Sequence, residues 1–185
     1  KVFKLRGGSG SDNVSLVKDR KAAIRFINKA FGLGFSRYNS WGSLKERWRK
    51  YRIGKMKIKE VVDGLDRFII PTRYSFIQGR DRGYIYFQDY IPDNTHDIRA
   101  IYVNHRCYAM RRRVRPGDFR ASGSGLLEYD ISKIPKKALR ITFDVALKLK
   151  LQTAAFDFVI HNGEPLIVEV SYGHGYDEDQ FNHGY

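Results

Sequence analysis

A chain of 185 residues with 34 Lys+Arg against 20 Asp+Glu, a formal net charge of +14, 42% hydrophobic and 14% aromatic residues fits one globular domain or two small lobes. Its aromatic and β-branched content excludes a disordered chain despite the charge, and its longest apolar runs, such as FIIP and AAFDFVI, fall well short of a bilayer span. One cysteine, Cys107, allows neither an internal disulfide nor a cysteine-rich metal site, and points to a reducing cytoplasm. The basic excess suits nucleic acid, and it suits anionic substrates such as nucleotides or anionic sugars equally well.

In chain order, KVFKLR reads as a short strand and GGSGSDN as a glycine and serine loop that turns sharply or approaches a ligand closely. The chain opens at Lys1 without an initiator Met and already in a strand, so it reads as a piece of a longer protein. A helix is predicted from Asp19 to Phe31, with Asp19 as N-cap, Gly32 just past the end, and Ala23, Ile24, Ile27, Ala30 and Phe31 on one face. A second begins at Ser43, where Leu44, Trp48 and Tyr51 form the stripe expected to be buried. Within it, eight of the fifteen residues in KERWRKYRIGKMKIK are basic.

The period changes near Tyr84. YIYFQDYI, DIRAIYV, RCYAMRRRV, AFDFVI and PLIVEV are strand-like runs separated by the turn signals PDNT, NH and HNGE. Between them Ile134, Ala138, Ile141, Val145 and Leu149 predict a helix with Pro135 near its start. Strands and helices in this arrangement give an α+β fold.

The densest chemistry lies in AFDFVIHNGEPLIVEVS. Strand alternation puts Ala155, Asp157 and Val159 on one side, and Ile167, Glu169 and Ser171 on one side of the next strand. A hairpin centred on Gly163 sets Asp157 opposite Glu169, with carboxylates about 5 Å apart. Like charges so placed need neutralising, by a hard divalent cation or by an arginine, unless the register keeps them apart. Lys4 stands before the glycine loop as a strand-end lysine does before a phosphate cradle, and an ordinary tight turn explains the same loop. In RRRVRPGDFRASGSG, alternation turns Arg111 and Arg113 one way and Arg112 the other, so the arginines serve more than one environment. The five histidines, His96, His105, His161, His174 and His183, are scattered and read as surface or turn residues.

Taken in order, KLRGGSGSDNV, FQDYIPDNTHDIRAIYV, MRRRVRPGDFRASGSG and FDFVIHNGEPLIVEVS resemble the ATP-grasp superfamily of ligases, over Lys4 to Ser171. The resemblance is nearest to the ribosomal-protein glutamate ligases and to the ATP-grasp proteins of polysaccharide biosynthesis. It implies antiparallel sheets with packed helices in two lobes clasping ATP. Residues 1–87 would form the glycine-loop strand and helical lobe, and 88–185 the lobe with the metal-binding hairpin. The family's N-terminal domain would precede Lys1.

The same resemblance implies that Lys4 touches the nucleotide phosphates under a flap of Gly7, Gly8, Ser9, Gly10 and Ser11. Gln88, Asp89, Tyr90 and Ile91 would be the adenine hinge, Asp97 the ribose-side acid, and Arg120, Ala121 and Ser122 the segment beside the phosphates. Arg120 would stabilise the transferring phosphoryl group, with Arg111 and Arg113 as further catalytic candidates. Asp157, Glu169 and Ser171 would bind Mg2+ or Mn2+. Ser171 departs from the family's usual Asn and offers a shorter, neutral hydroxyl. The implied activity is ATP-dependent joining of a carboxylate to an amine or related nucleophile through an acyl-phosphate, with a carboxylate-bearing small molecule, sugar or peptide as acceptor and no membrane or nucleic-acid partner. The alternatives are a nucleotide-binding protein without ligase activity, or a basic nucleic-acid-binding domain acting through Lys45 to Lys59, whose aromatics would stack on bases.

Overall fold

A computed structural model describes residues 1–5, 14–36, 44–45, 47–48, 51–52, 54, 56–62, 79–115 and 117–175. It is an α+β chain of antiparallel sheets with few helices, in two compact units, Lys1–Tyr90 and Ile91–Tyr185.

In the first unit, β1 (Val2–Lys4) lies between β2 (Ser15–Leu16) and β5 (Tyr86–Gln88), with Val2 opposite both Leu16 and Gln88. Helix α1 (Arg20–Phe31) starts where predicted: the Asp19 carboxylate accepts from the Ala22 N–H at 2.7 Å. Its buried face is not the predicted one. Ala22, Ala23, Phe26 and Ala30 pack on Phe3, Val17 and Phe35, while Ile24, Ile27 and Phe31 are exposed. Phe26 decides the rotation, because its ring meets Phe3 at 4.5 Å and Phe35 at 5.9 Å between centroids. Next, β3 (Phe35–Ser36) pairs with β4 (Arg80–Asp81). Gly34 precedes β3 at φ +72°, and a Cβ there would lie 2.7 Å from the Asp81 carbonyl oxygen.

Leu44, Lys45, Arg47, Trp48, Tyr51 and Arg52 are helical as expected, and α2 (Ile58–Val62) follows. The expected burial fails, since Trp48 is 51% and Tyr51 39% exposed. Their rings pack on each other at 5.7 Å, so each aromatic finds its apolar contact on the helix surface.

The second unit is a five-stranded antiparallel sheet in the order β10-β9-β6-β7-β8, built from β6 (His96–Val103), β7 (Arg106–Arg113), β8 (Leu127–Glu128), β9 (Thr153–His161) and β10 (Glu164–Ser171). Helix α3 (Lys136–Lys148) covers one face. Its innermost row is Ala138, Thr142 and Ala146, each fully buried, with Ile141 and Val145 beside it and Leu149 60% exposed. Small residues at this i, i+4, i+8 spacing let the helix approach Ile98, Ala100, Phe156 and Phe158 closely, which moves the stripe off the larger residues the sequence suggested. The Thr142 hydroxyl is satisfied by donating to the Ala138 carbonyl at 2.9 Å.

The tight turns Asn104-His105 and Asn162-Gly163 have positive φ at both residues, 40° and 64° in the first, 52° and 81° in the second. That is the two-residue hairpin chemistry the NH and NG pairs predicted. PDNT works differently. The Asn94 side chain accepts from the Ile160 N–H at 2.8 Å and donates to the Ile160 carbonyl at 3.1 Å, so it pairs with β9 as a peptide group would. Asn94→Ala is expected to lower stability by about 1–3 kcal/mol and to speed exchange of the Ile160 amide, read by urea unfolding and hydrogen exchange.

Candidate active site

The β9–β10 hairpin reaches its register by an irregularity. The Asn162-Gly163 turn pairs His161 with Glu164 and Phe158 with Ile167, which would carry Asp157 onto Val168. The register shifts between Ile167 and Glu169, a β-bulge at Val168, and Glu169 comes opposite Asp157 with Ser171 opposite Ala155. Ile167 therefore joins the core under α3 while Glu169 and Ser171 share the opposite face with Asp157. This corrects the expectation that Ile167, Glu169 and Ser171 share one side: a bulge breaks the period of two.

On that face the sheet holds a charge network. Arg99, opposite Asp157 on β6, donates two hydrogen bonds to its carboxylate, both at 2.8 Å. Arg112 on β7 reaches Asp157 at 2.9 Å and grips Asp97, its cross-strand partner, at 2.7 and 2.5 Å. Asp157 and Arg112 are 6% and 5% exposed. Burial pushes both acids upward. At Asp157 the guanidiniums of Arg99 and Arg112 outweigh it and hold the carboxyl below its usual value. At Asp97 burial wins over the shared Arg112, and the carboxyl stands above it. Two arginines against two carboxylates leave the network neutral, with Glu169 exposed at its edge. Beside it lies a small apolar cluster of Ile101, Met110 and Ala155.

The structure thus brings together Asp97, Asp157, Glu169 and Ser171. It adds Arg99 and Arg112, which the sequence reading had not placed there. Arg111 and Arg113 stand on the other face, both near Glu128. Arg120 is held in its own loop by Asp118, at 2.9 and 2.8 Å. Asp118 also accepts from the Phe119 and Arg120 N–H groups. Ala121 is buried and Ser122 half-buried. In the first unit, half-buried Lys4 pairs with Tyr86, Gln88 ends β5, and Asp89 binds the Lys1 ammonium, which holds its carboxyl below the usual range. Tyr90 and Ile91 fall either side of the boundary between the units. Gly7, Gly8, Ser9, Gly10 and Ser11 lie outside the described residues, as does His183.

The remaining histidines are not all surface groups. His96 sits within β6 between Arg111 and Glu128, and His174 meets the Thr153 hydroxyl at 2.8 Å, tying the segment after β10 to the start of β9. Burial pushes the Cys107 thiol up to about 12, so it is no nucleophile. Arg99 had a signal in the sequence: Asp97 and Arg99 interrupt an apolar strand at a spacing of two.

Asp157 and Glu169 are hard oxygen donors of the kind Mg2+ takes, and in this structure both oxygens of Asp157 accept from arginines. Among the described residues no group of three His, Cys, Asp or Glu gathers that could hold a metal ion. Among the described residues no helix is long and apolar enough to cross a membrane.

No protein-family profile matches the chain, and no curated protein matches it. Among solved structures, the crystal structure of the macrocyclase MdnB from Microcystis aeruginosa MRC is 22% identical, with a TM-score of 0.34, over 50% of this chain. The match spans 32% of that chain, about a third of its length.

Proposed function

We propose that this chain is the nucleotide-handling part of an ATP- and Mg2+-dependent ligase of ATP-grasp type, joining a carboxylate to an amine or related nucleophile. The observation that carries the reading is Glu169 facing Asp157 across the hairpin ladder, with Ser171 two residues on. The bulge that sends Ile167 into the core also sets the two carboxylates side by side, a pairing that suits a shared cation. The ordered strings from Lys4 to Ser171 support the same reading.

In this proposal Asp157 and Glu169 would hold the metal, with the Ser171 hydroxyl as a further oxygen donor. Bound Mg2+ would offset the charge of the phosphates during transfer. Arg99 and Arg112 keep Asp157 ionised and oriented until the nucleotide enters, then offer guanidinium donors to its oxygens. The γ-phosphoryl group passes to the substrate carboxylate, and the nucleophile displaces phosphate from the acyl-phosphate. Polysaccharide or peptide precursors are the substrate class the resemblance favours.

Calorimetric titration of ATP with and without Mg2+ tests it. Binding is expected to depend on the metal, and Asp157→Asn or Glu169→Gln to weaken it about tenfold or more, about 1.4 kcal/mol. Binding unchanged in both variants rejects the site. Exposed Trp48 and Tyr51 beside basic residues support a second reading, single-stranded nucleic-acid binding. Steeply salt-dependent RNA or DNA binding that survives Asp157→Asn, without Mg-ATP binding, would favour it.

A further inference from the structure

The face of the sheet turned away from Asp157 holds chemistry that the ligase reading leaves unused. Between the start of β6, a 3-10 turn (Ile131–Lys133) and the entry to α3 lies a cavity of about 300 Å³, lined by Asn94, Thr95, His96, Arg111 and Lys133 over Ile98. That volume is at the lower end of small-molecule sites, about 300–1,000 Å³.

The lining is rich in donors. Arg111 Nη2 donates to His96 Nδ1 at 2.9 Å. Arginine cannot accept, so Nδ1 carries the lone pair, and the proton of the neutral ring sits on Nε2. That Nε2 is buried without a hydrogen-bond partner among the described residues, 3.5 Å from the Glu128 carboxylate. Glu128 is committed to Arg113 at 2.9 Å, which leaves Arg111 only a 3.7 Å contact with it. Lys133 is half-exposed and lies 3.6 Å from Asp130. Helix α3 opens just beyond Pro135 with no side-chain cap, so its positive end lies at the cavity's edge, although the Ala138 N–H already donates to the Pro135 carbonyl at 2.9 Å. Asp93 is the acid in the lining, against Arg111 and Lys133.

We propose that this cavity binds the oxyanion of a small molecule, a carboxylate or a phosphoryl group, held between Arg111 and Lys133. A guanidinium and an ammonium converging on a small concave site match such an anion in charge and donor geometry. The site is separate from the Asp157–Glu169 face, because Arg111 and Arg112 point to opposite sides of β7. It does not rest on the ligase reading.

The test is a pair of NMR titrations of the isotope-labelled chain, one with inorganic phosphate and one with succinate. Amide shifts are expected at residues 94–98 and 133–138 with at least one anion. Lys133→Gln and Arg111→Gln are each expected to weaken binding about tenfold, and Lys148→Gln, at the far end of α3, to leave it unchanged. Lys133→Gln removes only a half-exposed contact with Asp130, so it keeps the test valid should Arg111→Gln disturb the fold. A response to one anion or to both upholds the site and names its ligand chemistry. No shift at these amides where exposed lysines elsewhere already respond, shifts unchanged in both variants, or shifts weakened as much by Lys148→Gln would overturn it.

Discussion

Arg112→Met is expected to destabilise the second unit by about 3–5 kcal/mol at pH 7, because it leaves Asp97 without its guanidinium and Asp157 with one of two. Arg112 is 5% exposed and bonds Asp97 at 2.7 and 2.5 Å and Asp157 at 2.9 Å, so water cannot replace it cheaply. The pH dependence separates the two acids. The Asp157 carboxyl is held below its usual value, so its stabilising share is full above the unfolded value of about 3.9 and is lost as pH falls through the lower folded value. The Asp97 carboxyl is raised, so its ionisation costs stability at neutral pH and acid relieves that cost. Two outcomes follow in urea unfolding. Asp157→Asn should cost more than Asp97→Asn at pH 7. The gap between the natural chain and Arg112→Met should narrow as pH drops below about 4, where protonated acids no longer need the arginine. A gap that is small at pH 7 or constant with pH would show that the network is solvated.

Phe156→Ala should cost about 3–5 kcal/mol. Phe156 is fully buried on β9, opposite Ala100 on β6 and Val170 on β10, and belongs to the core under α3 with Ala138 and Ala146. Ala100, Ala138 and Ala146 of that core and the backbone of the central strand cannot swell or shift into the space an absent ring leaves, so the cavity persists. The expected result is a lower urea midpoint with an unchanged m-value. Loss within about 1 kcal/mol would mean that α3 settles onto the sheet.

Much of the local structure was legible. Period-two runs located the long strands, Asp19 marked the start of α1, and NG and NH marked turns that close hairpins in the structure. Side chains whose role depends on a distant partner were harder to read. Nothing in α1's own sequence marks Phe26 as a core residue, because Phe3 and Phe35, which it meets, lie on other elements. Thr142 does not look like a core residue until its hydroxyl closes back on Ala138. Trp48 and Tyr51 have buried spacing without being buried. Alternation separated Arg112 from Arg111 and Arg113, but it could not say which side meets Asp157.

By itself the sequence determined the α+β character, the hairpin that carries Asp157 and Glu169, and the excess of basic residues, because alternation, turn preference and charge are properties of neighbouring residues. Tertiary structure alone decided that Val168 bulges, that Ile167 leaves the side of Glu169, and that Arg99 and Arg112 converge on Asp157. Register and bulge position depend on how β6, β7 and α3 bury their apolar faces against the hairpin. Those strands lie dozens of residues away along the chain, beyond the reach of any local pattern.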